Sequence, residues 1–400
     1  MNEFGVYVHV PFCASRCDYC DFATWTDRTH LVDAYVEACI RDIERRDLPP
    51  ATSVFFGGGT PSLLAPDALV RMLEAIPCAR DAEVTVECNP DSVDADKLGA
   101  YAAGGVNRLS FGVQSMRAHV LAALGRTHDP ANVERAMGWA RDAGFTRINL
   151  DLIYGTPGER VADWEATLEA ALALGPSHVS AYALTVEAGT PLARAVAAGD
   201  RSAPDDDDQA DKYEIADDRL RAAGFGWYEV SNWSQPGDEC RHNLLYWAQG
   251  EYVGIGCAAH GHTLGGGRGE RSHEARSHGA RSQEARRWWN VRTPERYVAA
   301  VDAGVTTEAG SEWLGAHARA DERLVLGLRT RFGAELSARE LLLGPLAAAV
   351  RQLETSGLVD CHVGGLGVWL VLTRRGRLLG NEVASRLLAA RDATVRAGTR

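Results

Sequence analysis

The chain has 400 residues, 46% hydrophobic and 24% charged, with 42 basic against 54 acidic residues and a formal net charge of −12. That size and balance fit a folded protein of about two domains and exclude bulk disorder, a collagen-like repeat and a disulfide-stapled miniprotein. The acidic excess argues against general attraction to nucleic acid or anionic lipid.

Apolar periodicity predicts strands over 4–10, 54–56, 83–87, 108–112, 147–152 and 178–183. Helices are predicted between them over 31–46, 67–76, 95–103, 117–124, 131–142 and 162–174. Alternating strand and helix implies parallel βαβ units, which a doubly wound sheet and a (β/α) barrel both satisfy. The residues just past each strand favour the barrel, because barrel chemistry collects at the C-terminal strand ends. Those ends carry Cys13 and its neighbours, Gly57 to Thr60, Glu87, Gln114 and Asp151. The expected fold is α/β, a partial (β/α)6 TIM-like barrel.

A helix over 206–223 follows the aspartate run 205–208, whose carboxylates suit a helix start. Strands are expected over 227–231 and 252–255, around an aromatic and polar segment. From Gly265 the chain turns glycine-rich and then repeats a five-residue pattern over 271–275, 276–280 and 281–285, which reads as a surface insertion. His273 and His278 within it are weak metal candidates. Helices over 321–331 and 341–356, Gly357 as a C-cap, and strands over 359–363 and 369–372 form a smaller winged-helix-like α+β domain. The expected division is 1–262, 263–290 and 291–400. No run of about 18 apolar residues offers a membrane span, leaving only peripheral membrane docking. The N-terminus lacks a basic start and an apolar leader core. A cytoplasmic, reducing location is therefore expected.

Nine cysteines cannot form a complete set of disulfides, and three crowd together as Cys13-x-x-x-Cys17-x-x-Cys20. In a reducing compartment such clusters are metal ligands or redox groups more often than cross-links. Zinc sites close with four ligands, commonly in paired CxxC units, and no fourth Cys or His stands at suitable local spacing. A four-iron cluster on three cysteines leaves one iron without a protein ligand. A small molecule bearing an amine and a carboxylate can chelate that iron.

CxxxCxxC after a first strand resembles the motif of the radical S-adenosylmethionine (SAM) superfamily. Tyr7-Val-His-Val-Pro-Phe-Cys13 and Cys20-Asp-Phe22 are similar to the branch that holds oxygen-independent coproporphyrinogen III oxidase and the HemW-type haem chaperones. The resemblance continues through Phe56-Gly-Gly-Gly-Thr-Pro-Ser62, Glu87-Cys-Asn-Pro90, Asn107-Arg-Leu-Ser-Phe-Gly-Val-Gln-Ser115 and Asp151-Leu-Ile-Tyr-Gly-Thr-Pro157. It implies a [4Fe-4S] cluster on Cys13, Cys17 and Cys20. It also implies SAM contacts from Tyr7, Tyr19, Gly58, Gly59, Thr60, Glu87, Gln114, Arg126, Asp151 and Ala183. The residue types agree: glycines let the backbone approach a ligand, and strand-end carboxylates suit ribose hydroxyls. A glycosidase pairing of Glu87 with Asp151 leaves the cysteine loop without a role. Gly254-x-Gly256-x-x-Ala259 looks like a dinucleotide fingerprint but opens no predicted helix.

The oxidases of this branch carry a fourth cysteine two residues after the third, where this chain has Phe22. Conversely, Arg241-His-Asn-Leu-Leu-Tyr-Trp247 matches a stretch of the chaperones. There His242 is a candidate haem ligand and Tyr246 and Trp247 are candidate stacking partners, with a hydrogen-bonded structural histidine as the alternative. His260 is a second candidate, and His9 is expected to pack near the cluster. The resemblance implies a chaperone with haem as cargo, haemoproteins as clients and an electron donor to the cluster. Radical decarboxylation of coproporphyrinogen III and a purely structural iron-sulfur role are the alternatives, so enzymatic turnover stays open.

Overall fold

The structure, a computed structural model, describes residues 3–265, 284–337, 344–364 and 367–398. Strands β1 (Phe4–Val10), β2 (Ala51–Gly58), β3 (Cys78–Cys88), β4 (Arg108–Gln114), β5 (Arg147–Tyr154) and β6 (His178–Ala183) lie side by side, parallel and in chain order. Helices α1 (Val32–Glu44), α2 (Pro66–Glu74), α3 (Ala95–Ala103), α4 (Ala118–Ala123), α5 (Pro130–Asp142) and α6 (Val161–Ala173) fill the crossovers. Val6, Val8, Val54, Phe56, Val86, Leu109, Phe111, Leu150 and Leu152 are all buried in the main core. Strands covered on both faces are expected to be this apolar. The partial barrel read from the sequence is therefore present.

Beyond β6, α7 (Pro191–Ala198) and α8 (Asp206–Ala222) lead to a short antiparallel extension. Asp205 caps α8, accepting from the Asp208 amide at 2.8 Å, which is the role its aspartate run suggested. The strand expected over 227–231 is instead a tight pair, β7 (Gly226–Glu229) and β8 (Asn232–Ser234), with β8 antiparallel to β6. The next segment forms α9 (Arg241–Trp247), so His242 lies on a helix rather than at a strand turn.

The other edge grows outward from β1. Strand β9 (Glu251–Ile255) joins it in parallel, and β10 (His260–Leu264), β11 (Ala285–Asn290) and β12 (Glu308–Leu314) follow antiparallel, completing a twelve-stranded sheet. Gly254 sits inside β9, packed so closely on the His260 backbone that a Cβ would collide with it; this glycine serves strand packing, with no helix to make a dinucleotide turn. The boundary expected at residue 291 falls within the sheet, because β12 pairs with β11 and α10 (Pro294–Asp302) packs on α1. Most of the repeat region, with His273 and His278, lies outside the described residues.

The remaining chain has its own core, formed by Leu324, Leu336, Leu346, Leu353, Leu370 and Leu387 among others. Helix α11 (Ala316–Leu328) and a helix at Pro345–Thr355 pack on a three-stranded sheet of β13 (Ala334–Ser337), β14 (Val359–Gly364) and β15 (Gly367–Leu372). Gly357 takes φ +67°, as its reading as a C-cap requires. Helices at Arg374–Leu378 and Gly380–Gly398 extend the winged-helix-like pattern. Buried Asp217 of α8 ties this module to the barrel, accepting from Trp233 Nε1 at 2.9 Å and facing Arg377 at 3.2 Å and Arg374 at 3.4 Å.

Candidate functional site

Strand β1 ends at Val10, and the chain turns outward through Pro11 and Phe12. The Cys13 amide donates to the Trp25 carbonyl at 3.0 Å and the Trp25 amide to that of Pro11 at 2.8 Å, closing the base of the cysteine loop. The far side is pinned at Asp18, whose amide donates to Leu124 at 3.2 Å and whose carboxylate meets Arg201 at 3.0 Å. Cys13, Cys17 and Cys20 are free thiols, and all three line a cavity of about 570 Å³ at the C-terminal ends of the parallel strands.

Burial pushes the Cys13 and Cys20 thiols above their ordinary range. A Thr60 hydrogen bond at 3.7 Å works against this at Cys13. The Arg126 guanidinium donates to Cys17 Sγ at 3.6 Å. The three sulfurs do not all lie within 4.8 Å of one another, since the described residues hold no such thiol group. A single tetrahedral ion, with thiolates at about 2.3 Å, would draw them closer than that. The donor set therefore fits a polynuclear cluster better than one zinc ion.

The same cavity is lined by Tyr19, Gly58, Gly59, Thr60, Glu87, Gln114, Arg126, Asp151 and Ala183. Most come from the ends of β2 to β6 and from the cysteine loop, and Arg126 from the segment after α4, regions far apart in sequence. A Cβ on Gly59 would stand 2.7 Å from the Phe12 carbonyl, 2.8 Å from that of Val10 and 3.1 Å from Cys13 Sγ. Gly58 takes φ +112° and donates its amide to Glu87 Oε2 at 3.1 Å. Gln114 adopts φ +63°, one of three non-glycine residues with positive φ among the described residues; such strain gathers at functional sites. The buried Nε of Arg126 has no hydrogen-bond partner among the described residues.

Glu87 and Asp151 are held differently. Burial first, and then the neighbouring Asp151 charge, push the Glu87 carboxyl up to about 8. Asp151 is also raised by burial, but Ser110 Oγ and Asn149 Nδ2 each donate to it at 2.9 Å and favour its charge. Asn149 is in turn fixed by His178 at 2.6 Å, and His178 by the Tyr228 hydroxyl at 2.7 Å. Sequence reading missed this chain of positioning residues. Its only trace was polar residues alternating along apolar strands.

Four predicted site residues, Tyr7, His242, Tyr246 and Trp247, lie elsewhere. Tyr7 points to a second cavity of about 330 Å³ rather than the first, its hydroxyl 3.0 Å from His9 Nδ1. His9 does pack beside Gly58 under the cysteine loop, its Nε2 bonded to the Ala23 carbonyl at 3.0 Å. His242 reaches neither cavity, contrary to the expectation of a haem ligand. It is buried, with Nδ1 2.9 Å from Ser53 Oγ and Nε2 2.9 Å from the Tyr246 hydroxyl. Burial lowers its pKa to about 4, so it stays neutral and structural. Tyr246 lines the second cavity, whereas half-buried Trp247 lines neither and turns towards Glu229. Phe22 is 62% exposed and forms part of both cavity walls.

A family model described as the radical SAM superfamily matches residues 7–171. "Heme chaperone HemW" of Mycobacterium tuberculosis H37Rv is 43% identical over 398 residues, 97% of this chain and 95% of its own length. The protein of the same name from Bacillus subtilis is 33% identical over 399 residues, 95% of this chain and 97% of its own. The solved structure of coproporphyrinogen III oxidase (HemN) from Escherichia coli shares the fold, with a TM-score of 0.77 at 22% identity over 96% of this chain and 90% of that one.

Proposed function

We propose, from the premise that the chain belongs to the HemW family of radical SAM proteins, that it is a haem chaperone carrying a [4Fe-4S] cluster and SAM and passing haem to client haemoproteins. The carrying observation is the convergence of Cys13, Cys17 and Cys20 with Glu87, Gln114, Arg126 and Asp151 on one cavity at the strand ends. The cytoplasmic location, the haemoprotein clients and an electron donor to the cluster belong to the same reading.

Cys13, Cys17 and Cys20 would hold three of the cluster irons. Cys13 and Cys20 are held protonated by burial, so loading releases protons and is favoured by rising pH. A cluster held there would be able to supply a single electron to the sulfonium of SAM. The open backbone at Gly58 and Gly59 and the Thr60 hydroxyl receive the methionine amine and carboxylate. Asp151, held by Ser110 and Asn149, accepts from a ribose hydroxyl, and Glu87, protonated near neutrality, donates or accepts beside it. Arg126 Nε offers a further N–H, while Tyr19 and Ala183 close the adenosine side.

Phe22 places an apolar ring where the oxidases of this branch have sulfur, which supports cargo binding over decarboxylation. The test is anaerobic reconstitution followed by transfer of haem from the loaded chain to an apo-haemoprotein, with coproporphyrinogen, reductant and SAM in a parallel reaction. Transfer without porphyrin turnover is expected. Protoporphyrinogen formed at a catalytic rate would overturn the reading.

A further inference from the structure

The second cavity shares Phe22, Gly58 and Glu87 with the first, so the two lie on either side of one partition. Tyr7, Tyr246 and Tyr252 supply aromatic walls, and the rings of Tyr246 and Tyr252 meet edge to face with centroids 4.4 Å apart. His260 and Phe22 are exposed, so the cavity opens to solvent.

Four histidines surround this region, and three are engaged. His9 and His242 use both ring nitrogens, and His262 is buried with Nδ1 2.9 Å from the Gly250 carbonyl. His260 lines the cavity and makes no side-chain hydrogen bond among the described residues. Its strand register sets Trp289 directly opposite, with ring centroids 6.1 Å apart, which limits the imidazole's motion. The turn delivering it passes through Ala258 at φ +55°, the same kind of strained non-glycine position as Gln114 in the first cavity. One imidazole and one carboxylate already bonded to Gly58 are too few for a bare cation, which takes three or four protein ligands. A single free imidazole among aromatic rings matches the needs of an iron tetrapyrrole.

We propose that this cavity is the haem-cargo site, with His260 as the axial iron ligand and the Tyr246 and Tyr252 rings against the porphyrin. The assignment rests on the chaperone reading. Partial desolvation in the cavity wall, and then the nearby Arg287 charge, hold the His260 imidazole below its usual pKa.

The test titrates ferric haem into the full-length, cluster-loaded chain and reads axial ligation by absorbance and magnetic circular dichroism. The wild-type chain should show histidine ligation. His260→Ala should lose that signature and weaken haem binding at least about tenfold, while His260→Met should replace it with a thioether signature. Retention of histidine ligation in His242→Gln would support the assignment. Histidine ligation that survives His260→Ala would refute the site while leaving the chaperone reading intact. A wild-type chain that binds no haem would refute that reading itself.

Discussion

Replacing Glu87 by Gln keeps the side chain's shape and its ability to accept from the Gly58 amide, but removes a titration from the cavity wall. In the folded chain this carboxyl is moved from its ordinary 4.5 up to about 8, by burial first and by Asp151 second. Below the ordinary value both folded and unfolded states carry the proton, and burial imposes no ionisation penalty. As pH rises, the unfolded chain ionises while the folded site keeps its proton, so folded stability falls until the folded group itself ionises near 8. The full displacement corresponds to about 5 kcal/mol, or on the order of 2–3 kcal/mol after discounting for water reaching the cavity. Urea midpoints of wild type and Glu87→Gln, measured without SAM from acid to mildly alkaline pH, should coincide at the acid end. They should then separate in favour of Gln and run parallel above about pH 8. A difference independent of pH, or one favouring Glu as pH rises, would refute the reasoning.

Gly59→Ala drives a methyl group against the Phe12 and Val10 carbonyls and Cys13 Sγ, neighbours that cannot swing aside. It should cost about 1–3 kcal/mol and lower bound iron and sulfide, and a normally loaded cluster in this variant would contradict the packing argument. Arg147→Met removes the ion pair at 2.7 Å from Glu83, whose side chain is 0% exposed, and should cost about 3–5 kcal/mol in thermal or urea unfolding. Glu83 keeps the His242 amide at 3.2 Å and the Arg108 charge, so a loss below about 1 kcal/mol would mean that these suffice without Arg147. Burial works to raise Glu83, but Arg108 and Arg147 outweigh it and hold the carboxyl below its usual range. Its stabilisation is therefore full above the ordinary carboxylate value and lost as pH falls through the lower folded value. Asp217→Ala removes the buried carboxylate that Arg374 and Arg377 share, leaving Arg374 its Asp218 pair, and should make the C-terminal module a preferred target in limited proteolysis, with an unchanged cleavage pattern counting against that tie.

Much of the site was legible because its signals are local. Three cysteines within eight residues need only a loop to face one cavity. Glycines, Glu87, Gln114 and Asp151 mark the ends of apolar runs, and a parallel barrel brings such ends together whatever the intervening helices contain. The strand β1 to β6 series and the caps at Asp205 and Gly357 follow from periodicity and backbone sterics for the same reason. Contacts between distant segments had no such signal. The helix that carries His242 is too short to show periodicity, and its histidine is committed to Ser53, 189 residues away. The antiparallel edge formed by β10 to β12 depends on pairing across the repeat region, and the Tyr228–His178–Asn149–Asp151 chain links three strands. The sequence by itself thus determined the kind of protein and the chemistry of its cysteine loop, through residue identity and spacing. Only the tertiary structure decided which imidazole is free, because both nitrogens of a histidine can be occupied by partners that no local pattern announces.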